Sequence, residues 1–260
     1  MDNPDAIETY INDDTKLIWV ETPTNPMLNI IDIEATATIA KKHNILLAVD
    51  NTFATPYLQQ PLDLGADIVM HSVTKYIGGH SDLVMGALIV KEKSLAERLY
   101  FIQNASGAIC GPQDAFLALR GIKTLHVRMQ RHCENGKAIA LYLASHPKVE
   151  NVYWPGFESH PNHDIAKKQM KDFGGMISFT TKGNDYNTSI KLIENLKIFT
   201  LAESLGGVES LAGHPASMTP ASIPKEEREK TGVVDSLIRL RVGIEDEEDL
   251  INDLKQALEI

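Results

Sequence analysis

The sequence is poor in cysteine and has no long apolar run. Among its 260 residues only Cys110 and Cys133 are cysteines, and their spacing matches no paired motif, so we expect free thiols in a reducing compartment. No run of about 18 apolar residues occurs, so we expect no membrane-spanning helix. The first residues are acidic and lack the apolar stretch of a signal peptide. We therefore expect a cytoplasmic location.

Positive charge and metal-ligand patterns are also scarce. The chain has 25 basic and 35 acidic residues and a formal net charge of -10, so a nucleic acid is not expected as a partner. Its nine histidines are scattered without an H-x-x-x-H pair, and there is no C-x-x-C pair, so no metal site is expected. The remaining composition, 43% hydrophobic and 23% charged, is typical of a globular protein.

Strand and helix patterns alternate along the first part of the chain. Apolar runs at 16–20, 45–49 and 68–70 predict strands, and 33–43 predicts a helix with Asp32 as its N-cap. Continuous apolar runs are typical of strands that are covered on both faces. This succession predicts a mostly parallel sheet with right-handed crossovers.

The rest of the chain predicts a second, smaller unit. The region 112–145 has a largely helical pattern, and we place a change of domain inside it. The other predicted strands are 84–90, 150–154, 175–180, 197–201 and 237–242, and the other predicted helices are 163–172, 187–195 and 245–258. We therefore predict an α/β fold, with a mostly parallel sheet domain at 1–128 and an α+β domain at 129–260.

The segment after the strand at 68–70 contains the most informative lysine. Ser72, Thr74 and Lys75 follow this strand, and two glycines come shortly after them. If the segment is extended, the two hydroxyls point the same way and can hold one phosphate, while the lysine presents an amine to a carbonyl. Taken alone, the segment also fits a surface lysine in a polar loop.

Polar side chains follow the other two parallel strands as well. Asn25 comes after the first strand and Asp50 directly after the second. Since ligands bind beyond the carboxyl ends of strands in open α/β sheets, these residues and Lys75 should face one crevice. A carboxylate beneath a pyridine nitrogen keeps it protonated, which suits pyridoxal phosphate (PLP). Asp50 could instead cap the following turn, and Asn25 could be a plain turn residue.

Arg239 alternates with apolar neighbours in the last predicted strand. An arginine that faces inward needs an anion, and its planar fork suits a carboxylate. An outward, solvated arginine is the other interpretation of the same pattern.

Five segments together resemble the Cys/Met-metabolism PLP enzymes, a family that includes cystathionine γ-synthase, cystathionine γ-lyase, cystathionine β-lyase and methionine γ-lyase. In order along essentially the whole chain, they are 21–26, 49–53, 71–82, 202–207 and 237–243. The resemblance implies an aspartate-aminotransferase-like fold (fold type I), PLP as the cofactor, and a homotetramer arranged as a dimer of dimers.

The resemblance also implies roles for the residues around the cofactor. Lys75 would form the Schiff base with PLP and then act as the proton shuttle. Asp50 would pair with the pyridine nitrogen, Ser72 and Thr74 would touch the phosphate, and Asn25 would lie near the ring hydroxyl and the substrate.

Substrate roles follow from the same resemblance. Arg239 would bind the substrate α-carboxylate, and Ser204 would position that carboxylate and the lysine. Glu203 stands where γ-synthases and γ-lyases tend to carry glutamate and bacterial β-lyases an aromatic residue, so it would pair with the distal amino group of cystathionine. We therefore expect Cγ chemistry on small amino acids: cystathionine, O-acylhomoserine and cysteine. A β-lyase, a methionine γ-lyase or a non-catalytic fragment are the alternatives.

Three departures from the family pattern stand out. An N-terminal stretch of the family, which supplies backbone amides for the phosphate, a ring-stacking tyrosine and a Tyr/Arg pair for the neighbouring subunit, has no counterpart here. Pro220 stands where histidine is common, and Arg241 stands where a small residue is common. Arg241 would share a face of the strand with Arg239.

Overall fold

Two sheets form the framework of the computed structural model, which describes residues 4–218 and 224–259. In chain order the strands are β1 Leu17–Glu21, β2 Leu46–Asp50, β3 Ile68–Ser72, β4 Gly86–Val90, β5 Val149–Tyr153, β6 Met176–Thr181, β7 Thr200–Leu201, β8 Leu211–Gly213 and β9 Leu237–Arg241. The α-helices are α1 Ile33–Lys42, α2 Thr55–Leu58, α3 Lys93–Ser106, α4 Pro112–Ile122, α5 Leu125–Ser145, α6 His163–Gln169, α7 Tyr186–Asn195, α8 Pro215–Met218, α9 Lys225–Lys230 and α10 Glu247–Leu258. A 3-10 helix, Pro4–Tyr10, precedes β1.

The first sheet has the strand order β1-β2-β3-β4. Its first three strands are parallel, as predicted, and β4 joins them antiparallel. Glu21 pairs in register with Asp50, and Asp50 with Met70, so the carboxyl ends of β1, β2 and β3 meet at one edge. Helix α1 covers one face of this sheet, where Ile33 packs against Leu47 and its buried neighbours.

The second sheet has the order β5-β6-β9-β8-β7 and is antiparallel except for the β7–β8 pair. All five residues of its central strand β9 are buried. Helices α5 and α10 pack on one side, where Leu143 and Leu254 contact a core that includes Ile238 and Leu240. Because residues alternate across a strand, Arg239 and Arg241 are buried on the opposite side of β9.

Helix α5 belongs to both halves of the molecule. Its N-terminal residues Leu125 and Met129 pack with Leu28 and Tyr76 near the first sheet, and further along the helix Leu143 belongs to the core of the second sheet. The expected domain boundary between residues 128 and 129 falls inside this continuous helix, and it stays a prediction.

Two details differ from the sequence-based expectation. The expected strand at 197–201 is reduced to Thr200–Leu201, because the carboxylate of Asp253 accepts the N–H groups of residues 197, 198 and 199 at 2.8, 2.8 and 3.1 Å. These N–H groups are then not used for pairing with a neighbouring strand. Helix α3 was not predicted, and none of its residues is buried.

Two expectations from composition concern the cysteines and the membrane. Cys110 and Cys133 are both free thiols, as predicted, and burial raises the pKa of Cys133 to about 12. Across the described ranges, no helix has the length and apolar character needed to cross a membrane.

Replacing Asp253 by alanine is expected to lower the free energy of unfolding by about 3 kcal/mol, because three backbone N–H groups lose a charged acceptor. Urea unfolding followed by circular dichroism measures the change. Asp253→Asn keeps one acceptor oxygen and should lose less, and Glu259→Ala, at an exposed position, should lose almost nothing. An alanine variant as stable as the parent would contradict this structural role.

Candidate functional site

A cavity of about 540 Å³ opens where the carboxyl ends of β1, β2 and β3 face strand β9. This volume lies within the roughly 300–1,000 Å³ that small-molecule sites occupy. Six of the predicted site residues line it: Asn25, Asp50, Ser72, Lys75, Glu203 and Arg239. A larger cavity of about 680 Å³ lies elsewhere on the first sheet, but its lining is mostly apolar and includes none of these six residues. These six predicted site residues therefore lie together in the smaller cavity.

Lys75 lies in the turn that follows β3. Its Nζ donates to the Oγ of Ser204 at 3.4 Å, so a residue 129 positions away orients the amine. Burial, and secondly the positive charge of Arg239, lower the pKa of Lys75. A lowered pKa leaves more of the amine neutral near pH 7, and only the neutral amine attacks a carbonyl.

The carboxylate of Asp50 caps the turn after β2 and also lines the cavity. Its Oδ1 accepts from the backbone N–H of Thr52 at 3.0 Å, which is the cap that the sequence allowed, and its side chain also lines the cavity. The Thr52 hydroxyl accepts in turn from the backbone N–H of Ser72 at 2.9 Å. Asp50 is therefore held by the backbone at the end of its strand.

Glu21 is a cavity residue to which the sequence analysis gave no role. It ends β1 beside Asp50 and accepts from the backbone N–H of Asn25 at 3.0 Å. Burial, followed by the charge of Asp50, raises the pKa of Glu21. Glu21 could have been found from its position in the sequence, because it ends β1 just as Asp50 ends β2.

Arg239 faces inward, which decides between the two interpretations of its strand. Its guanidinium donates to the Oδ1 of Asn25 and, at 3.3 Å, to the backbone carbonyl of Glu203, while its buried Nε has no partner. Burial lowers the pKa of Arg239 to about 10, against the opposing charges of Glu203 and Glu21. A cation at the cavity wall with a free N–H group is suited to a carboxylate ligand.

Thr74 is the predicted site residue that does not join the others. The chain turns after Ser72 instead of staying extended. The Thr74 hydroxyl exchanges hydrogen bonds with the backbone of Met85, at 3.0 and 3.3 Å. The extended backbone assumed for residues 72–74 is therefore not present, and the phosphate roles of Ser72 and Thr74 stay predictions.

Two of the three departures from the family pattern are single residues, and the structure describes one of them. Pro220 lies outside the described residues. Arg241 is buried and donates to the backbone carbonyl of Ala202.

The donor set at the cavity fits PLP. The Lys75 amine suits the aldehyde of PLP, the Asp50 carboxylate suits the pyridine nitrogen, and the hydroxyls of Ser72 and Thr52 suit phosphate oxygens. Arg239 remains for the carboxylate of an amino acid. In the part of the chain that the structure describes, no group of three histidine, cysteine or acidic side chains could hold a metal ion.

Comparison with known proteins gives a single family. The family model described as "Cys/Met metabolism PLP-dependent enzyme" matches residues 1–259. Cystathionine gamma-lyase of Dictyostelium discoideum is 56% identical over 255 residues, which cover 98% of this chain and 66% of that protein. Cystathionine beta-lyase of Lactococcus lactis subsp. cremoris is 56% identical over 259 residues, covering 100% of this chain and 68% of that protein.

A third relative carries a different activity in its name. L-methionine gamma-lyase of Fusobacterium nucleatum subsp. polymorphum is 52% identical over 260 residues, covering 99% of this chain and 65% of that protein. The chain thus spans about two thirds of the length of these relatives. Since the three named reactions occur at similar identity, overall similarity does not separate them.

Proposed function

Because this chain belongs to the Cys/Met metabolism PLP-dependent enzymes, we propose that it acts at Cγ of homoserine-derived amino acids, with cystathionine as its substrate. One observation carries the proposal: an oriented lysine amine, a strand-end carboxylate and a buried arginine share one cavity, through Lys75, Asp50 and Arg239. These are the three groups that such chemistry requires from the protein.

Lys75 is the nucleophile and the proton carrier of the proposed reaction. PLP, when bound, supplies an aldehyde for the Lys75 amine and a protonated ring that withdraws electrons from the substrate's Cα. The amine, once released by the incoming substrate, removes the proton from Cα and serves the later proton loss at Cβ. Its contact with Ser204 holds Nζ at the cavity wall, and its lowered pKa keeps it able to accept a proton.

Asp50 and Arg239 would bind two charged groups, the pyridine nitrogen of PLP and the α-carboxylate of the substrate respectively. Asp50 would keep the proton on the pyridine nitrogen, and the hydrogen bond from the backbone N–H of Thr52 holds its carboxylate in place. Arg239 binds the α-carboxylate of the substrate, and Asn25 orients the guanidinium for that contact. Ser72 and Thr52, which line the cavity, would hold the phosphate.

Glu203 supports Cγ chemistry on cystathionine. Its side chain lines the cavity, and its negative charge acts on Arg239. A carboxylate there pairs with the distal ammonium group of cystathionine, which methionine lacks. The lyase reaction then yields cysteine, 2-oxobutanoate and ammonia, and the synthase reaction joins an O-acylhomoserine with cysteine.

A keto-acid assay tests the proposed function. The protein is incubated with PLP and cystathionine, and separately with O-succinylhomoserine and cysteine. Release of 2-oxobutanoate, or formation of cystathionine, supports Cγ chemistry. Pyruvate as the sole keto acid would overturn it in favour of β-lyase, the second candidate, since a cystathionine beta-lyase of Lactococcus lactis is as similar to this chain as the cystathionine gamma-lyase is. Absence of both keto acids and of cystathionine would favour a non-catalytic fragment.

The charge of Arg239 should be visible in the pH dependence of Lys75. Arg239 lowers the pKa of Lys75, so Arg239→Met should raise that pKa and shift the pH profile of PLP attachment to higher pH. The measurement is borohydride trapping of PLP on Lys75 across a pH series. Arg239→Lys keeps the positive charge and should shift the profile less. A Met variant whose profile matches the parent's would contradict the electrostatic coupling.

The proposal extends to assembly and location. We infer a homotetramer, arranged as a dimer of dimers, in the cytoplasm; the family resemblance supports the former, and the two free cysteines agree with the latter. Light scattering of the purified protein tests the tetramer directly.

A further inference from the structure

Arg241 is a buried cation without an anionic partner among the described residues. Its side chain is 2% exposed, and its Nη1 donates to the carbonyl of Ala202. Its Nε and Nη2 are both buried and have no hydrogen-bond partner. An arginine does not lose its charge in a protein, and a buried unpaired charge is costly, so this arginine calls for an anion.

The free groups of Arg241 lie on one edge of its guanidinium. The Nε–H and one Nη2–H point in parallel, and this edge makes two hydrogen bonds to a carboxylate at once. The contact with Ala202 uses Nη1, so it leaves that edge available.

Arg241 adjoins the cavity described above. It lies two residues after Arg239 on the same face of β9, about 7 Å along the strand. The two guanidinium groups donate to consecutive backbone carbonyls, those of Glu203 and Ala202. They therefore lie side by side, with Arg239 at the cavity wall and Arg241 behind it.

Met218 lies beside the free edge of Arg241 and also lines the cavity. A Cβ on Gly213 would stand 3.1 Å from the Nη2 of Arg241 and 3.2 Å from the Sδ of Met218, which lines the cavity. The space next to the guanidinium is thus bordered by a glycine and a thioether. An unbranched methionine side chain changes rotamer easily, so it can give way to a ligand.

We propose that Arg241 binds a second carboxylate of the substrate, so that the site prefers amino acids with a carboxylate at each end. This proposal rests on the proposed function, in which Arg239 binds the α-carboxylate. The far end of cystathionine is a zwitterion, and Glu203 and Arg241 would take its ammonium and carboxylate groups respectively. The acyl carboxylate of an O-succinylhomoserine offers the same anion.

Calorimetric binding of simple acids tests this second carboxylate site without turnover. The probes are the dicarboxylates glutarate, adipate and pimelate, each compared with the monocarboxylate of equal chain length. The protein should bind at least one dicarboxylate about tenfold more tightly than its monocarboxylate, as expected for one added charge-assisted contact. In Arg241→Met this preference should fall to within about twofold.

The controls separate the site from the fold and from the proposed function. Arg241→Lys keeps the positive charge but loses the two parallel N–H donors, so an intermediate preference for dicarboxylates is expected. If the Met variant fails to fold, the parent protein still decides, since no preference for any dicarboxylate would overturn the proposal. Normal PLP trapping on Lys75 without that preference refutes this inference alone, whereas the absence of trapping and of keto acid refutes the proposed function.

Discussion

Replacing Lys75 by alanine is expected to abolish covalent attachment of PLP and to reduce turnover of cystathionine by about 10⁴-fold or more. In the proposed function Lys75 supplies both the nucleophile and the base, and positioned proton transfer alone contributes roughly 10²–10⁴-fold. Its amine is held by Ser204 at the wall of the cavity. Borohydride reduction followed by peptide mass spectrometry should find the cofactor on Lys75 in the parent and nowhere in the variant.

A matched control keeps this result interpretable. Lys182→Ala removes an exposed lysine and should leave both the label and turnover unchanged. Ser204→Ala removes the partner of Nζ but keeps the amine, so label should remain while turnover falls. Undiminished label on the Lys75→Ala protein would refute the assignment of the imine-forming residue.

Replacing Asp50 by asparagine is expected to reduce turnover by about 10²–10³-fold while PLP still attaches to Lys75. An amide cannot hold a proton on the pyridine nitrogen by charge, so the ring withdraws electrons less well. The side-chain oxygen of asparagine can still accept from the backbone N–H of Thr52, so the strand end should keep its shape. Single-turnover kinetics with cystathionine separate this loss from any weaker binding.

The Asp50 prediction has its own control in the neighbouring carboxylate. Glu21→Gln changes the adjacent strand end, and its amide oxygen can keep the contact with Asn25. A much smaller loss is expected, because Glu21 is assigned no contact with the ring nitrogen. If the Glu21 variant lost as much turnover as Asp50→Asn, the carboxylate that holds the ring proton would have to be reassigned.

The parallel strands and their carboxyl-end residues could be predicted from the sequence, because short apolar runs end directly in polar residues. Asp50 shows this most clearly, since it closes an uninterrupted apolar strand. The turn in which Thr74 bonds to the backbone of Met85 could not be predicted, because Ser-x-Thr is equally compatible with an extended segment. The hydrogen bonds to the backbone of Met85 form only once β4 is in place.

Most of the site contacts that could not be predicted from the sequence join residues far apart in the chain. Arg239 contacts Asn25 from 214 positions away, and Lys75 contacts Ser204 from 129 positions away. The family resemblance placed these residues near one ligand, but only the packing of β9 against the first sheet shows which side chains meet.

The contact between Arg239 and Asn25 joins the last strand of the chain to the loop that follows the first. In the proposed function, a partly folded chain that has only one of the two sheets would lack one of these two contacts to the substrate. Any ligand held by both elements stabilises the assembled state alone, by RT ln(1 + [L]/Kd), and so raises the melting temperature with concentration. In a cell, the supply of such a metabolite would then help to set how long each copy of the protein survives proteolysis.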